Sequence, residues 1–440
     1  MDVLTAVENE PAQSVQQRWS AGKRIAFRFC FVYFGLYCTI GLIQAVLVVP
    51  KIELPDPGTL WPFRQIIFWV AAHLFGAKLP LVYSGSGSGD KTFDWTEVFC
   101  ILVVALIVTV VWTALDRRRA EYAVLFKWFR LYIRFCLAAT LLIYGLDKFI
   151  PLQMPYPYLL RQVQPFGTFS PMGVLWTSIG AAPRYEIFVG LAEMLAAALL
   201  MFPKTVTVGA LISLADMTQV FMLNMTYDVP VKQYSFHLLL LSAFLLAPQA
   251  GRLIDFFVRN RRVEPERIES LFKTPRANRI ATGAQFVLWV WICSVYSYQK
   301  WIDWHDYGPG RQKSPLYGIW DIEQMTIDGQ VRPPVLTDKD RWRRLIFDFP
   351  NTSTAEHLND EFEWLDTTVD AQKHSVELIK AGDKTRKAVF IYERSASDQL
   401  KLNGTMAGHT IQMQLRREDE KKFLLSSRGF HWVQEYPFNR

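Results

Sequence analysis

Residues 97–115 read EVFCILVVALIVTVVWTAL, and the charged run DRRR follows directly at residues 116–119. After Glu97, no charged residue interrupts the apolar stretch. A helix needs roughly 20 predominantly apolar residues to cross the hydrocarbon core of a bilayer. The stretch therefore predicts a membrane-spanning helix whose arginine-rich end lies at one membrane surface.

Six further stretches are apolar and long enough to be read in the same way: about 25–49, 131–150, 185–202, 205–224, 233–248 and 280–298. The sequence therefore predicts a bundle of about seven transmembrane helices. The first stretch follows Lys23-Arg24 and is too long for the apolar region of a signal peptide, so we interpret it as an uncleaved first span. Residues 300–440 contain no run of this length.

Cationic residues indicate the orientation. They cluster in alternate connections: Lys23-Arg24, Arg117–Arg119 with Lys127 and Arg130, Lys204, and eight cations between Arg252 and Arg279. Because cytoplasmic connections carry the excess of Lys and Arg, the N-terminus is expected in the cytoplasm. Seven crossings would then place the C-terminal part outside. We expect a multi-pass protein of the bacterial cytoplasmic (inner) membrane with a periplasmic or extracytoplasmic C-terminal domain.

The net charge of +7 comes from the membrane part, which has 27 cationic and 19 acidic residues, against 21 and 22 in residues 300–440. This basic excess reflects membrane orientation, so the expected partner is the lipid bilayer and not nucleic acid. The predicted organisation is a cytoplasmic segment (1–24), a transmembrane bundle (25–299) with an interfacial or outer loop (50–96), an interfacial linker (300–316) and an extracytoplasmic β-barrel (317–440).

Two acids lie deep inside predicted spans, away from the span ends: Glu193 and Asp216. Ionised groups in a bilayer cost about 2.5–3.5 kcal/mol each on insertion scales, so they are candidate catalytic residues. Further polar residues gather near the outer ends of the spans and are candidate ligand-binding residues: Tyr144, Lys148, Asn224, Tyr227, Asp228, Lys232 and His237.

Two interpretations of this polar set stay open. In the first, it forms a proton-linked or quinone-type site in which a buried carboxylate exchanges protons. In the second, Asp147/Lys148 and Asp228/Lys232 are interfacial ion pairs, and the buried acids only join helices. No haem, metal or nucleotide site is expected, because only His237 among the histidines lies in a span, the cysteines have no ligand spacing, and no phosphate-binding motif occurs.

Part of the membrane half resembles the DoxX-like membrane proteins. The resemblance is carried by YEIFVGLAE at 185–193, LLMF at 199–202, residues 205–210 and NMTYDVPVK at 224–232, and it covers roughly residues 125–250. Some members of that family are similar to the membrane subunit of a thiosulfate:quinone oxidoreductase. The resemblance therefore implies a quinone ligand and a redox partner subunit, and it gives Glu193 a motif position.

Short segments of strand character recur in the C-terminal part: 319–327, 342–349, 354–358, 362–367, 375–380, 388–393, 399–402, 410–415 and 422–426. Eight or nine antiparallel strands in this length predict a small up-and-down barrel. Gly318-Ile319-Trp320 in the first strand and Arg428 after the last resemble the calycin barrels. That resemblance implies that Trp320 and Arg428 pack together to close the barrel.

These observations support two functional hypotheses. The first is a component of extracytoplasmic redox chemistry, a quinone-linked membrane oxidoreductase subunit that binds a quinone or similar lipophilic carrier in the outer half of the bundle. The second is a non-enzymatic lipid-binding, partner-binding or assembly module anchored by the bundle. Calycin barrels commonly hold one lipophilic molecule, but a barrel of this size can also be filled by its own side chains.

Overall fold

The computed structural model describes residues 18–52, 54–265, 270–383 and 385–439. The first 17 residues of the predicted segment 1–24, and Arg267 of the fourth cationic cluster, lie outside the described residues. In chain order, the α-helices are α1 (Ala21–Tyr37), α2 (Ile43–Val46), α3 (Phe63–Phe75), α4 (Thr92–Leu115), α5 (Ala123–Phe149), α6 (Leu159–Val163), α7 (Pro171–Gly180), α8 (Pro183–Met201), α9 (Val206–Thr226), α10 (Lys232–Leu246), α11 (Ala250–Phe257), α12 (Pro275–Asp306) and α13 (Leu424–Ser427).

Each predicted span coincides with a helix. Within the described residues, six helical segments are long and apolar enough to cross a membrane: Ala21–Val46, Thr92–Leu115, Ala123–Phe149, Val206–Thr226, Lys232–Phe257 and Pro275–Asp306. The segment Ala21–Val46 joins α1 to α2 through a π-helical turn, and Lys232–Phe257 joins α10 to α11.

The remaining predicted span, 185–202, is the fourth in chain order and coincides with α8, which has 19 residues and is not among these six helices. It differs from them because Arg184, Glu186 and Glu193 fall within this short length. The helical membrane part is thus supported with six such helices in the described chain, and a count of seven depends on α8.

The chain forms two compact units. Unit 1 takes its described residues from Met1–Leu142, Leu195–Met225 and Pro230–Val295, and unit 2 from Ile143–Met194, Thr226–Val229 and Tyr296–Arg440. Unit 2 thus contains the last turns of α5, most of α8, the last turns of α12 and the C-terminal sheet.

The C-terminal sheet of unit 2 is a closed antiparallel barrel. Its strands are β1 (Gly318–Ile327), β2 (Gln330–Val331), β3 (Trp342–Phe349), β4 (Thr352–His357), β5 (Phe362–Asp370), β6 (Ser375–Lys380), β7 (Lys387–Ala396), β8 (Gln399–Met406) and β9 (His409–Arg417). Sequential neighbours pair, and β9 pairs with β1 over Trp320↔Arg417 to Ile327↔Ile411, which closes the sheet. The described barrel wall therefore has eight long strands, and β2 is a two-residue extension of the β1 hairpin.

The ninth predicted strand, 422–426, is wrong. Residues Glu420–Lys422 form a 3-10 turn and Leu424–Ser427 form α13. Asp419 caps the turn, because its side chain accepts a hydrogen bond from the backbone N–H of Lys421. A capped turn cannot continue a strand, so the barrel ends with β9.

The two ends of the barrel differ. The foot is the end where β1 begins at Gly318 and β9 ends, and the mouth is the end where β1 ends and β9 begins. Trp320, Phe347 and Phe390 are each 0% exposed and fill the interior towards the foot. The half of the interior towards the foot is therefore filled by the barrel's own side chains.

At the foot of the barrel, arginine side chains lie beside Gly318 and Trp320, the first and third residues of β1. Gly318 has φ +146°, and the Arg417 guanidinium lies where a Cβ at this position would point, 2.8 Å from Nε. The cation over the Trp320 ring is Arg394, with Cζ 5.7 Å from the ring centroid. Arg428 instead lies 4.0 Å from the Phe438 ring centroid. The Gly-x-Trp strand thus does have a cationic neighbour, but the structure supplies it from β7, which the sequence resemblance could not indicate.

Candidate functional site

The helices α5 and α8 cross at two glycines of unit 2. A Cβ on Gly190 would lie 2.6 Å from the carbonyl oxygen of Gly145, and one on Gly145 would lie 2.9 Å from that of Gly190. Both distances are shorter than side-chain carbons tolerate, so the two backbones are in direct contact. Small residues allow such close approach between membrane helices.

A buried ion pair joins the two helices beside this crossing. Lys148 follows Gly145 by three residues, and Glu193 follows Gly190 by three residues. The Lys148 Nζ donates to both carboxylate oxygens of Glu193, at 2.6 and 2.7 Å. The side chains are 7% and 1% exposed. The structure therefore brings together two residues that the sequence analysis had named separately, and Tyr144 adjoins them with its ring centroid 5.7 Å from Lys148 Nζ.

The first turn of α8 carries a second buried acid, Glu186. One of its oxygens, Oε1, accepts a hydrogen bond from the backbone N–H of Met154 at 2.9 Å, and the side chain is fully buried. The other oxygen, Oε2, has no hydrogen-bond partner among the described residues. Glu186 thus fixes the start of the loop after α5 to the start of α8.

A further charged group, Asp147, follows the same crossing on α5. It pairs with Lys300 of α12 at 2.8 Å, and Lys300 also contacts Asp303 at 3.3 Å. The alternative expectation paired Asp147 with Lys148, but the structure pairs each with a residue of another helix. Consecutive residues of a helix point about 100° apart, so they do not face each other. The sequence analysis missed Lys300 because it lies at the end of its span, beside an aromatic segment.

The remaining predicted residues are distributed over both units. Asp216, 9% exposed, and Asn224 lie on α9 in unit 1, where the Asn224 side chain donates to Ser235 Oγ at 3.0 Å. Tyr227 and Asp228 lie in unit 2, and Asp228 has φ +53° in the turn after α9.

Lys232 lies at the start of α10, where Asp90 caps the helix. The Asp90 carboxylate accepts the backbone N–H of Lys232 at 2.7 Å and that of Gln233 at 3.0 Å. The Lys232 Nζ lies 3.8 Å from the same carboxylate. Asp90, which was not singled out from the sequence, is thus one acidic neighbour of Lys232. The pairing of Lys232 with Asp228 stays a prediction.

His237 is buried in unit 1 between two tyrosines. Its ring stacks on Tyr37 at a centroid distance of 4.0 Å, and Nε2 lies 2.7 Å from the Tyr33 hydroxyl. Because Nδ1 faces the Gln233 carbonyl oxygen at 2.6 Å, Nδ1 carries the proton and Tyr33 donates to Nε2. Both ring nitrogens of His237 are thus engaged within the protein.

The barrel contains a cavity of about 660 Å³ at its mouth. Its apolar floor comes from inward-facing side chains of the mouth half, including Trp342, Leu365, Leu378, Ala388 and Ile411. Globular ligand sites commonly measure about 300–1,000 Å³ and combine an apolar lining with a few polar groups. This cavity has the dimensions of a small-molecule site.

Charged side chains surround the rim of this cavity. Around Glu363, one oxygen lies 3.1 Å from Lys380 and 3.9 Å from Arg386, and the other lies 3.1 Å from His357. Burial raises the pKa of Glu363, but the hydrogen bonds from Lys380 and His357 outweigh it, so its pKa lies below the ordinary value. Two cations thus adjoin one carboxylate at this point of the rim.

The chain was compared with protein-family models, with known protein sequences and with solved structures, and one similar protein was found. The chain is 28% identical over 133 residues to the uncharacterized protein YwoB of Bacillus subtilis (strain 168), covering 28% of this chain and 79% of YwoB. No family model matches the chain. No solved structure matches it. The chain is thus similar, over less than a third of its length, to one bacterial protein of undescribed activity.

Proposed function

We propose that this protein is a membrane-anchored binding protein whose C-terminal barrel holds the apolar part of an amphiphilic molecule. The observation that carries the proposal is the mouth cavity of about 660 Å³, which lies above an interior filled by Trp320, Phe347 and Phe390. Eight-stranded barrels are wide enough to hold one small ligand. In this proposal the apolar body occupies the mouth half, and the polar head lies at the rim beside Lys380 and Arg386.

The proposal can be tested by filling the cavity. Ala388 faces the cavity from β7, and its neighbour Val389 faces outward and is 40% exposed. We expect Ala388→Trp to lower the affinity of the delipidated protein for a fluorescent fatty acid at least tenfold. Val389→Trp, on the same strand, is the matched control and should bind as the wild type does.

Circular dichroism and thermal unfolding would establish that both variants are folded. Equal binding by folded Ala388→Trp and wild type would place the ligand elsewhere. If the wild-type protein bound neither the fatty acid nor a neutral long-chain alcohol, this result would contradict the proposed function.

A second candidate is the quinone-linked redox component suggested by the DoxX-like resemblance of residues 125–250. The Lys148–Glu193 pair favours it, because a carboxylate and an ammonium beside a phenol could exchange protons with a bound carrier. The test is mass spectrometry of lipids extracted from the purified protein, together with a dithionite-minus-air difference spectrum. Absence of both quinone and a redox band would exclude this candidate.

A charge-swapped variant, Lys148→Glu with Glu193→Lys, separates the structural role of the pair from a role in binding the carrier. The swap preserves an ion pair at the crossing but moves the carboxylate from α8 to α5. If Glu193 serves the carrier, the folded swap should lose copurified quinone. A folded swap that retains quinone would leave the pair with a structural role only.

We further propose that the barrel lies on the extracytoplasmic side of the cytoplasmic membrane. This depends on α8 crossing, because six crossings return the chain to the side of its N-terminus and seven do not. Alternation of the cationic clusters supports seven. Alkaline phosphatase fused after residue 439 should be active, and a fluorescent protein that folds only in the cytoplasm should be dark. The opposite pair of results would place the barrel in the cytoplasm.

A further inference from the structure

The last described segment of unit 2, residues 424–438, exposes an unusual amount of apolar surface. Seven of its fifteen residues are large, apolar and at least 40% exposed: Leu424, Leu425, Phe430, Trp432, Val433, Tyr436 and Phe438. Trp432 is 91% exposed. Contiguous exposed apolar surface of this kind marks a site of interaction with a membrane or a partner.

The segment begins at the foot of the barrel. Since β9 is antiparallel to β1, the chain leaves the barrel at the end where it entered from α12. The backbone N–H of Glu418 donates a hydrogen bond to the carbonyl oxygen of Ile319 at 2.8 Å. This bond holds the chain that leaves β9 beside the first residues of β1. The segment and the linker from a membrane-spanning helix therefore lie at the same end of the barrel.

The start of the segment, helix α13, is also hydrogen-bonded to the loop that follows α5. The Ser426 hydroxyl donates to the Gln162 side chain at 3.1 Å, and the Tyr156 hydroxyl donates to the Ser426 carbonyl at 3.3 Å. That loop begins directly after Phe149, the last residue of α5, and it exposes Phe166 at 76%. The start of the segment thus lies near two stretches of chain, the linker after α12 and the loop after α5. Each of these stretches follows an apolar helix.

We propose that residues 424–438 lie in the headgroup region of the bilayer and hold the foot of the barrel against the membrane surface. The occupant of this apolar surface is therefore lipid. Trp and Tyr prefer the membrane–water interface, where the ring is in apolar surroundings and the polar atom stays hydrated. Continuity with α5 and α12 places the segment where such an interface is available.

The backbone limits the depth of insertion. After Ser427 the segment has no regular secondary structure, so its N–H and C=O groups are not paired within a helix or sheet. Unpaired backbone groups are excluded from the hydrocarbon core but are hydrated at the interface. The segment therefore lies along the surface and does not cross the bilayer.

The test compares two exposed tryptophans of unit 2. Trp432 is replaced by Cys in the proposed contact, and Trp364, which is 50% exposed on β5, is replaced by Cys as the matched control. Both variants carry Ala or Ser at the five native cysteines, and each is labelled with an environment-sensitive fluorophore in phosphatidylcholine nanodiscs. Lipids with a nitroxide near the headgroup should quench the label at position 432 at least threefold more than that at position 364.

Equal quenching at the two positions would overturn the proposal. So would a blue-shifted label at position 432 that lipid nitroxides do not quench, since it would indicate a second copy or another protein as the occupant. If the cysteine-free background does not fold, quenching of intrinsic fluorescence by brominated lipids can be compared between wild type and Trp432→Phe. The quenched fraction should fall in the variant, and an unchanged fraction would contradict the proposal.

Discussion

The α5–α8 crossing and the foot of the barrel each bury an acid–base pair, but they do so in different surroundings. At the crossing, Lys148 and Glu193 lie 2.6 Å apart beside backbones that touch at two glycines. At the foot, Arg311 and Asp348 lie 2.8 Å apart, with side chains 14% and 10% exposed. The first pair joins two helices, whereas the second lies at the edge of the barrel.

The two pairs also differ in what remains when one partner is removed. Asp348 accepts a second hydrogen bond from the backbone N–H of Leu159 at 2.7 Å, and the Arg311 guanidinium lies 4.2 Å from the Phe349 ring centroid. At the foot, each ion therefore keeps a second interaction within the protein, and both side chains are partly exposed to solvent. The crossing is less accessible to water, so its pair should be far more sensitive to substitution.

The largest expected effect is at the glycines. In Gly190→Leu the new side chain would meet backbone atoms of α5 at 2.6–2.7 Å, so the helices must separate and Lys148 must leave Glu193. Overpacking costs about 1–3 kcal/mol and breaking a buried pair about 3–5 kcal/mol, so we expect little folded protein. The measurement is the monodisperse yield after detergent extraction.

The matched control is Gly283→Leu on α12, because a Cβ at Gly283 meets nothing within 4 Å. This variant should purify as the wild type does. A normal yield of Gly190→Leu would show that the crossing is looser than described.

The next largest effect concerns the pair itself. Glu193→Gln leaves the Lys148 ammonium buried opposite a neutral amide, and we expect a loss of about 3–5 kcal/mol in the free energy of unfolding. The double change Lys148→Met with Glu193→Leu removes both charges and should recover most of that loss. Unfolding in mixed micelles measures both, and full stability of Glu193→Gln alone would rule out a stabilising role for this pair.

A smaller effect is expected at the foot. Arg311→Gln removes the ion pair, but Asp348 keeps the Leu159 N–H and gains access to water. We expect a loss of about 1 kcal/mol, measured as a lower thermal midpoint of the barrel. A loss as large as that of Glu193→Gln would remove the distinction between the two regions.

The smallest effect is a dependence on pH. Burial raises the pKa of Asp348 above its ordinary value, even though the Leu159 N–H and Arg311 lower it in part. Since the folded state holds this proton more tightly than the unfolded one, the contribution is present below about pH 4 and is lost as pH rises through the raised pKa.

Asp348→Asn removes this titration. The difference in stability between wild type and variant should therefore become less favourable to the wild type as pH increases from 4 to 7. A constant difference over that range would show that Asp348 titrates normally in the folded protein.

The sequence predicted the elements well where one physical signal dominated. Apolar length placed the helices, and alternation with turn signals placed eight long strands, because each face of the barrel wall has one environment. The signal failed at residues 422–426, where Asp419 caps a 3-10 turn and the apolar residues after that turn form α13.

Partners across the fold were harder to predict. Lys148 and Asp147 are adjacent in sequence, and only helix geometry shows that they face different neighbours. A usable signal for the Lys148–Glu193 pair was present in the sequence. Gly145 precedes Lys148 by three residues, and Gly190 precedes Glu193 by three residues. By contrast, no local pattern could have indicated that Arg394, and not Arg428, lies over Trp320, because this depends on the curvature of the closed sheet.

The even number of long strands in the described barrel has a consequence for how it can vary. Both chain connections leave from the foot, so in the part of the chain that the structure describes the mouth carries the connections between strands, at 328–341, 358–361, 381–386 and 407–408. Insertions in these four turns would change what enters the cavity without moving the attachment to the helices. In the proposed function, changes in these turns would alter the ligand preference of related chains and leave the connections at the foot unchanged.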